Sequence, residues 1–132
     1  MGVQLHPGVN VARTVQATVV NHLACCHEQP GFEVDRSFAS LPVRNIPDLT
    51  VFRDGELLHL FQVVRPGPIP MDLVHRSWRP MADWAEALGA TFWVLVPTPQ
   101  RPYVESLIRN AGIDLRLAGY RLGADGDVRI DW

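Results

Sequence analysis

The sequence predicts an α/β fold in which helices flank a mixed sheet of about five or six strands. Apolar residues recur at helical spacing in residues 10–28 and again in 74–88, which predicts two amphipathic helices. Residues 91–96 form a continuous apolar run, which is typical of a strand buried on both faces of a sheet. The chain of 132 residues, 47% of them hydrophobic, has the size and composition of a single domain, residues 1–132.

The first helix is predicted at residues 10–28. Asn10 is a favourable residue near a helix start, and Pro30-Gly31 follows the predicted end. The apolar residues of its stripe lie three and four positions apart: Ala12, Val15, Val19, Leu23 and Cys26. We therefore expect one face of this helix to pack against the sheet.

Two histidines and two cysteines lie near the end of this helix: His22, Cys25, Cys26 and His27. Adjacent residues of one helix point in different directions, so we do not predict a metal site from them. The adjacent cysteines are interpreted as small buried apolar groups, because their spacing suits neither a disulfide framework nor a zinc ligand pair. Free thiols indicate a reducing compartment, and we expect a cytoplasmic protein.

Three strands are predicted next, at residues 32–38, 46–52 and 57–64. The first alternates apolar and charged residues, as an edge or half-buried strand does. The second and third are separated by a short loop that contains Asp54-Gly55. Asp-Gly is a strong hairpin signal because a type I′ turn requires positive φ at both central residues. We therefore expect the second and third strands to pair antiparallel.

The second helical stripe, at residues 74–88, contains Pro80. Proline inside a helix removes a backbone hydrogen bond and clashes with the preceding turn. The sequence therefore predicts either a kink near Arg79 or two short helices, the second starting at Pro80. Gly89 follows the last apolar position and is predicted to end the helix.

The last part of the chain is predicted to contain a strand, a short helix and a terminal hairpin. Residues 91–96 form the expected central strand, and residues 102–110 form a helix that ends at Gly112. Two further strands, at 115–122 and 127–132, flank a second Asp-Gly turn. These elements complete the mixed sheet.

The charge of the chain excludes a strong overall attraction to nucleic acid. The formal net charge is −2, so any contact with nucleic acid must come from a local patch. All 12 Lys and Arg residues are arginine, and the cluster that the sequence offers is Arg44, Arg65, Arg76 and Arg79. No apolar run approaches the roughly 18 residues of a membrane span, and no glycine-rich phosphate loop follows a strand. We therefore expect neither a membrane nor a nucleotide cofactor as a partner.

The predicted hairpin carries a pattern found in known proteins. Pro47-Asp48 lies in its first strand, and Gln62-Val63-Val64 lies near the end of its second strand. This arrangement resembles the PD-(D/E)xK nuclease superfamily, in which a Pro-Asp is followed, across a hairpin, by an acid-x-Lys triplet. Residues 82–90 and the strand after them are also similar to the helix and strand that follow the triplet in many bacterial members. The similarity covers roughly residues 10–110.

The resemblance implies a restriction-endonuclease-like core of three layers. It also implies that Asp48, Gln62 and Val64 stand where the family has two acids and a lysine. In the family the acids hold one or two Mg²⁺ ions that activate water for phosphodiester hydrolysis, and the lysine positions or deprotonates that water. Glu28, at the end of the first helix, could supply the additional acid that some members place on that helix.

The chain departs from the family pattern where the chemistry requires charge. Gln62 offers a neutral oxygen, so a hard cation held by Asp48 alone should bind weakly. Val64 cannot transfer a proton, and the chain contains no lysine to replace it. Arg65 follows, but successive strand residues face opposite sides of a sheet, so we expect it to point away from Asp48 unless a bulge redirects it.

Two functions follow from the resemblance. The first is a degenerate nuclease-like domain without catalysis that binds nucleic acid such as DNA, a protein partner or a second copy of itself. The second is a DNA endonuclease with an altered site of Asp48, Gln62 and Glu28, and Mg²⁺ is expected as a cofactor only in this case. A structural role is also open for Asp48, as a strand-entry residue, and for Gln62, as a hydrogen-bonded amide. A third possibility is a small oligomerisation or partner-binding protein with no link to nucleic acid. We favour the first function because the scaffold is retained while the catalytic triplet is broken.

Overall fold

The computed structural model of the chain describes residues 7–36 and 47–132, with side chains from residue 14 onward. Within these residues, a mixed six-stranded sheet lies between α1 on one face and α2 and α3 on the other. The elements in chain order are α1 (Pro7–His27), β1 (Phe32–Asp35), β2 (Leu49–Arg53), β3 (Glu56–Val63), a π-helical segment (Val74–Trp78), α2 (Arg79–Leu88), β4 (Thr91–Pro97), a 3₁₀ turn (Thr98–Gln100), α3 (Arg101–Ala111), β5 (Arg116–Leu122) and β6 (Val128–Asp131). The predicted class, an α/β fold with a mixed sheet flanked by helices, is confirmed.

The strands lie in the sheet in chain order, from β1 at one edge to β6 at the other. The β3–β4 and β4–β5 pairs are parallel, and the other neighbours are antiparallel. The predicted hairpin between β2 and β3 is confirmed, with φ values of 52° at Asp54 and 83° at Gly55. Because the two strands are antiparallel, the start of β2 lies beside the end of β3, where Leu49 is opposite Phe61.

Each face of the sheet has its own hydrophobic cluster, and alternation along β3 divides its side chains between the two. Phe61 and Val63 pack on the face that α1 covers, together with the buried Leu23. Leu60 packs on the opposite face, together with Trp78 of the π-helical segment. Residues of β4 enter both clusters, which confirms the prediction of a central strand.

In the helical segment that contains Pro80, the backbone hydrogen bonding changes from π-helical to α-helical at Arg79, where α2 begins. Pro80 lies in the first turn of α2, directly after Arg79, whose N–H donates to the carbonyl of Val74 five residues earlier. The backbone stays right-handed helical at Trp78 and Arg79, so the two helical segments are continuous and the predicted alternative of two separate helices is wrong. Gly89 and Gly112 follow α2 and α3 with φ values of 69° and 64°, as predicted for residues that end helices.

The expectation that the two adjacent cysteines are buried is wrong, because Cys25 and Cys26 are both exposed. Among the residues of α1 whose side chains the structure describes, Val19, Leu23 and Ala24 are buried. Two helical steps turn Cys25 about 200° away from Leu23, so it faces solvent. In the part of the chain that the structure describes, no helix is long and apolar enough to cross a membrane.

Candidate functional site

Asp48 lies immediately before β2, and its side chain bonds to the backbone at the end of β3. Its N–H donates to the carbonyl of Phe61 at 2.9 Å, and its Oδ2 accepts the N–H of Val63 at 2.7 Å. Pro47, which precedes it, has no N–H to offer to a neighbouring strand. The carboxylate therefore satisfies a backbone donor at the point where the regular pairing of β2 with β3 ends.

Gln16 on α1 connects the helix to Asp48, to β3 and to Arg65. Its Nε2 donates to the carbonyl of Val63 at 2.9 Å and approaches the two carboxylate oxygens of Asp48 at 3.3 and 3.4 Å. Its Oε1 accepts the Nε–H of Arg65 at 2.7 Å. The sequence analysis did not identify Gln16, although a polar residue three positions before Val19 interrupts the apolar stripe of α1 and could have indicated it.

The protonation of Asp48 reflects two opposing influences. Burial raises the pKa of the Asp48 carboxyl above its ordinary value, while the Val63 N–H, the Gln16 amide and the charge of Arg65 act to lower it. Desolvation is the largest of these influences. The charged form of Asp48 is therefore incompletely compensated in the folded chain.

The predicted orientation of Arg65 is wrong, because Arg65 lies on the same side as Asp48. Both residues bond to Gln16 and line the same depression. The prediction placed Asp48 on the face of Gln62 and Val64, but Asp48 precedes β2, which begins at Leu49. Asp48 is thus free of the side-chain alternation of β2, and its side chain turns toward α1, the side on which Val63 and Arg65 lie.

Gln62 and Val64 lie on the other face of the sheet. Gln62 is opposite Val94 of β4, and Val64 packs against the hydrophobic cluster below α2. The Oε1 atom of Gln62 is buried and has no hydrogen-bond partner among the described residues. Gln62 is not hydrogen-bonded to the group of Asp48, although it lines a second depression together with Gln16 and Arg65.

The remaining predicted site residues are also dispersed. Glu28 follows the last residue of α1 and lies 12 positions beyond Gln16, which corresponds to about 18 Å along a helix. Arg76 forms an exposed ion pair with Asp72, and Arg79 donates to the carbonyl of Ala111, both on the α2 side. Arg44 lies outside the described residues.

The donors around Asp48 suit Mg²⁺ poorly. The site has one carboxylate, which already accepts a backbone N–H and an amide N–H, and the cationic Arg65 lies beside it. Mg²⁺ prefers an octahedron of oxygen ligands, commonly with more than one anionic donor, including substrate phosphates. Among the described residues there is no group of three or more His, Cys, Asp or Glu side chains that could hold a metal ion.

An open depression of about 590 Å³ lies next to this group of hydrogen-bonded residues. Arg36 and Arg65 contribute two positive charges to its lining, and Asp48 contributes a carboxylate. Arg36 follows β1, which pairs antiparallel with β2, so the end of β1 lies beside the start of β2. Arg36 was not among the predicted site residues, although the pairing of β1 with β2 places it near Asp48.

The backbone next to Arg65 is anchored from β5. The hydroxyl of Tyr120 donates to the carbonyl of Val64 at 2.7 Å, and the N–H of Val64 donates to the carbonyl of Leu95 at 2.8 Å. Burial raises the pKa of the Tyr120 phenol, so it remains a neutral donor at ordinary pH. These two bonds fix the chain from which Arg65 extends.

These contacts define an α/β domain with a polar site at the end of β3, formed by an amide, a carboxylate and arginines. No protein-family model, curated protein or solved structure matches the chain.

Proposed function

We propose that the chain is a nuclease-like domain without catalytic activity that binds the phosphate backbone of nucleic acid in the depression beside Asp48. The observation that carries the proposal is that the carboxylate of Asp48 is engaged in hydrogen bonds within the fold. Asp48 accepts the Val63 N–H at 2.7 Å and the amide of Gln16, next to two exposed arginines. An acid used in this way supports the fold, while the arginines supply the charge for an anionic ligand.

The order of the elements supports the relation to the PD-(D/E)xK superfamily. The order helix, three strands, helix, strand is the one that the resemblance implies, and α1 to β4 follow it. The resemblance also requires that the second and third strands bring the motif residues to one end of the sheet. In this chain the start of β2 lies beside the end of β3, which agrees with that requirement.

The geometry also suggests a different register for the acid-x-Lys triplet. The residues of β3 and its extension that lie near Asp48 are Val63 and Arg65, which have the same spacing as the acid and the lysine. Gln16 lies on the first helix, where some family members have an additional acid. In this register the site retains Asp48. Gln16 replaces the acid of the first helix, Val63 replaces the acid of the triplet, and Arg65 replaces the lysine. We infer that this substitution pattern preserved the shape of the site and removed its catalysis.

The arginines are suited to phosphate oxygens. Arg36 and Arg65 are exposed, and neither forms an ion pair with a described residue. The bond from its Nε to Gln16 restricts Arg65 and leaves its terminal guanidinium nitrogens to bind a ligand. Because the arginine is already held in place, less conformational entropy is lost when a phosphate binds.

A binding titration tests the proposal. Labelled single-stranded and duplex DNA oligonucleotides are titrated with the full chain, and the anisotropy is followed at several salt concentrations. We expect Arg65→Ala and Arg36→Ala each to weaken binding to all sequences and to reduce the salt slope by about one unit. Arg129→Ala, on the exposed surface of the edge strand β6, is the matched control and should leave binding unchanged. Equal losses in all three variants, or no binding by the wild-type chain, would contradict the proposal.

A cleavage assay separates this proposal from the endonuclease alternative. Supercoiled and single-stranded DNA are incubated with the chain in Mg²⁺ or Mn²⁺, beside an Asp48→Ala control. We expect intact substrate in every lane, because one hydrogen-bonded carboxylate beside an arginine does not provide the charge that hydrolysis requires. Cleavage that is lost in Asp48→Ala would overturn the absence of catalysis and support the endonuclease.

A further inference from the structure

A second depression, of about 340 Å³, adjoins the depression beside Asp48. Gln16 and Arg65 line both of them. The second depression is also lined by Trp78, which packs on the α2 side of the sheet, whereas Gln16 lies on the α1 side. It therefore runs around the end of β3, from one face of the sheet to the other.

Part of the wall of this depression is apolar. The segment after β3 contributes Pro66, Pro68 and Ile69, and Leu73 follows them. Ligand pockets of proteins commonly combine such apolar surface with a small number of polar groups that orient the ligand. A flat ring of a ligand can pack against these side chains.

Two residues of the wall carry a buried polar atom that has no hydrogen-bond partner among the described residues. These atoms are the acceptor Oε1 of Gln62 and the donor Nε1 of Trp78. Trp78 is fully buried, whereas Gln62 is half-buried. Buried polar groups are normally paired, because an unpaired group has lost its bonds to water without replacement. An unpaired acceptor and an unpaired donor beside one depression therefore point to a ligand that supplies both partners.

A nucleobase has the chemistry that these groups require. Its edge carries N–H donors beside ring-nitrogen or carbonyl acceptors, and its ring is flat. Because Arg65 lines both depressions, a strand whose phosphate contacts Arg65 has a base next to the second depression. In a duplex the bases are stacked and paired, so only an unpaired base can enter.

We propose that the second depression binds one unpaired base of a nucleic-acid strand whose phosphate contacts Arg65. This inference rests on the proposed function, because it adds a base pocket to the same site. Rotation of the Gln62 amide about its terminal torsion, which is broad, brings Oε1 to the ligand. This oxygen accepts an N–H of the base, and the indole N–H of Trp78 donates to a ring nitrogen or a carbonyl of the base.

A comparison of two single strands tests the pocket. A short DNA single strand and a strand of the same length built from abasic residues are each titrated with the full chain, and the anisotropy is followed. The strands carry the same backbone charge, so a difference in affinity comes from the bases. We expect the intact strand to bind about tenfold more tightly. Equal binding would overturn the base pocket and leave phosphate binding in place, whereas no binding of either strand would overturn both proposals.

The variant Gln62→Leu separates a ligand contact from a structural role. Leucine fills a similar space without an unpaired oxygen, so the melting temperature should stay the same or rise. The preference for the intact strand should fall to near one, while the affinity for the abasic strand stays unchanged. Gln29→Leu, at an exposed position beyond α1, is the matched control and should keep the wild-type preference. If Gln62→Leu also keeps that preference, Gln62 does not contact the base and the proposal fails.

Discussion

Gln16 is the residue that organises the site at the end of β3. Its amide bonds to Val63, Asp48 and Arg65, and thereby links α1 to three groups of the sheet and its extension. A glutamine has both the donors and the acceptor that this position requires. A glutamate would place negative charge against the Val63 carbonyl and the Asp48 carboxylate. Gln16 therefore makes this a hydrogen-bonded site, whereas a glutamate at the same position would make it a pair of acids.

Replacement of Gln16 tests this role. Gln16→Leu should lower the free energy of unfolding by about 1–3 kcal/mol, because partially buried groups lose their hydrogen bonds. Gln16→Glu should also destabilise the chain in the absence of metal, but Mn²⁺ should restore part of its melting temperature, since two carboxylates then share the cation. Thermal melts with and without Mn²⁺ measure both effects. If Mn²⁺ raises the melting temperature of the wild-type chain as much as that of the Gln16→Glu variant, the wild-type site already binds the metal.

Asp48 should give the stability of the chain a measurable pH dependence. Its pKa is raised in the folded state, so the folded chain keeps this proton to higher pH than the unfolded chain does. The contribution to stability is full below the unfolded value, near 3.8, and is lost as the pH rises through the folded value. Urea unfolding of wild type and Asp48→Asn at a series of pH values should show the wild type losing stability relative to the variant across this window. Parallel pH curves would contradict the assignment.

The segment after β3 is positioned by bonds from other elements. Tyr120 of β5 bonds to the carbonyl of Val64, and Gln100 donates to the carbonyl of Gly67 at 2.7 Å. The segment contains Pro66, Pro68 and Pro70, which lack backbone N–H groups and cannot extend the sheet by regular pairing. Side chains from β5 and from the 3₁₀ turn after β4 therefore hold the segment that contains Arg65.

Removal of the Tyr120 hydroxyl tests this anchoring. Tyr120→Phe should cost about 1 kcal/mol of stability, because a hydrogen bond to a backbone carbonyl is lost. It should also weaken DNA binding in the anisotropy assay, since Arg65 is then held less firmly. Tyr103, which is 48% exposed, provides the control Tyr103→Phe, which should change neither quantity. A stability loss without any change in DNA binding would show that the anchor does not serve Arg65.

At the scale of the whole molecule, one sheet supports both hydrophobic clusters. Leu23 of α1 and Met81 of α2 are both fully buried, on opposite faces. Because β3 and β4 contribute side chains to both clusters, disruption of one face should weaken the strands that the other face requires. The two layers of helices should therefore unfold together.

Substitutions on the two faces test this cooperativity. Leu23→Ala and Met81→Ala should each destabilise the chain by about 2–5 kcal/mol, because each leaves a cavity in a buried cluster. In both variants, circular dichroism and tryptophan fluorescence should report one coincident unfolding transition. Separate transitions in either variant would contradict the single domain that the sequence predicts.

The sequence by itself was sufficient to predict the class of the fold and most of its elements. Helical periodicity in α1, the Asp54-Gly55 turn and the apolar run of β4 are local signals, and each has a direct physical cause in helix geometry, backbone φ or burial. The change from π-helical to α-helical hydrogen bonding at Arg79 lies next to Pro80, where the chemistry of proline predicts a local disturbance of the helix. These features depend on residues that are close together in the chain.

The composition of the site was decided by the tertiary structure. Asp48 lies outside β2, so strand alternation did not predict the side to which its carboxylate turns, and the structure groups it with Arg65 rather than Gln62. Gln16 and Arg36 come from segments far away in sequence, and their positions depend on helix packing and on the pairing of β1 with β2. Patterns along the chain determine which elements form, whereas long-range packing determines which side chains meet.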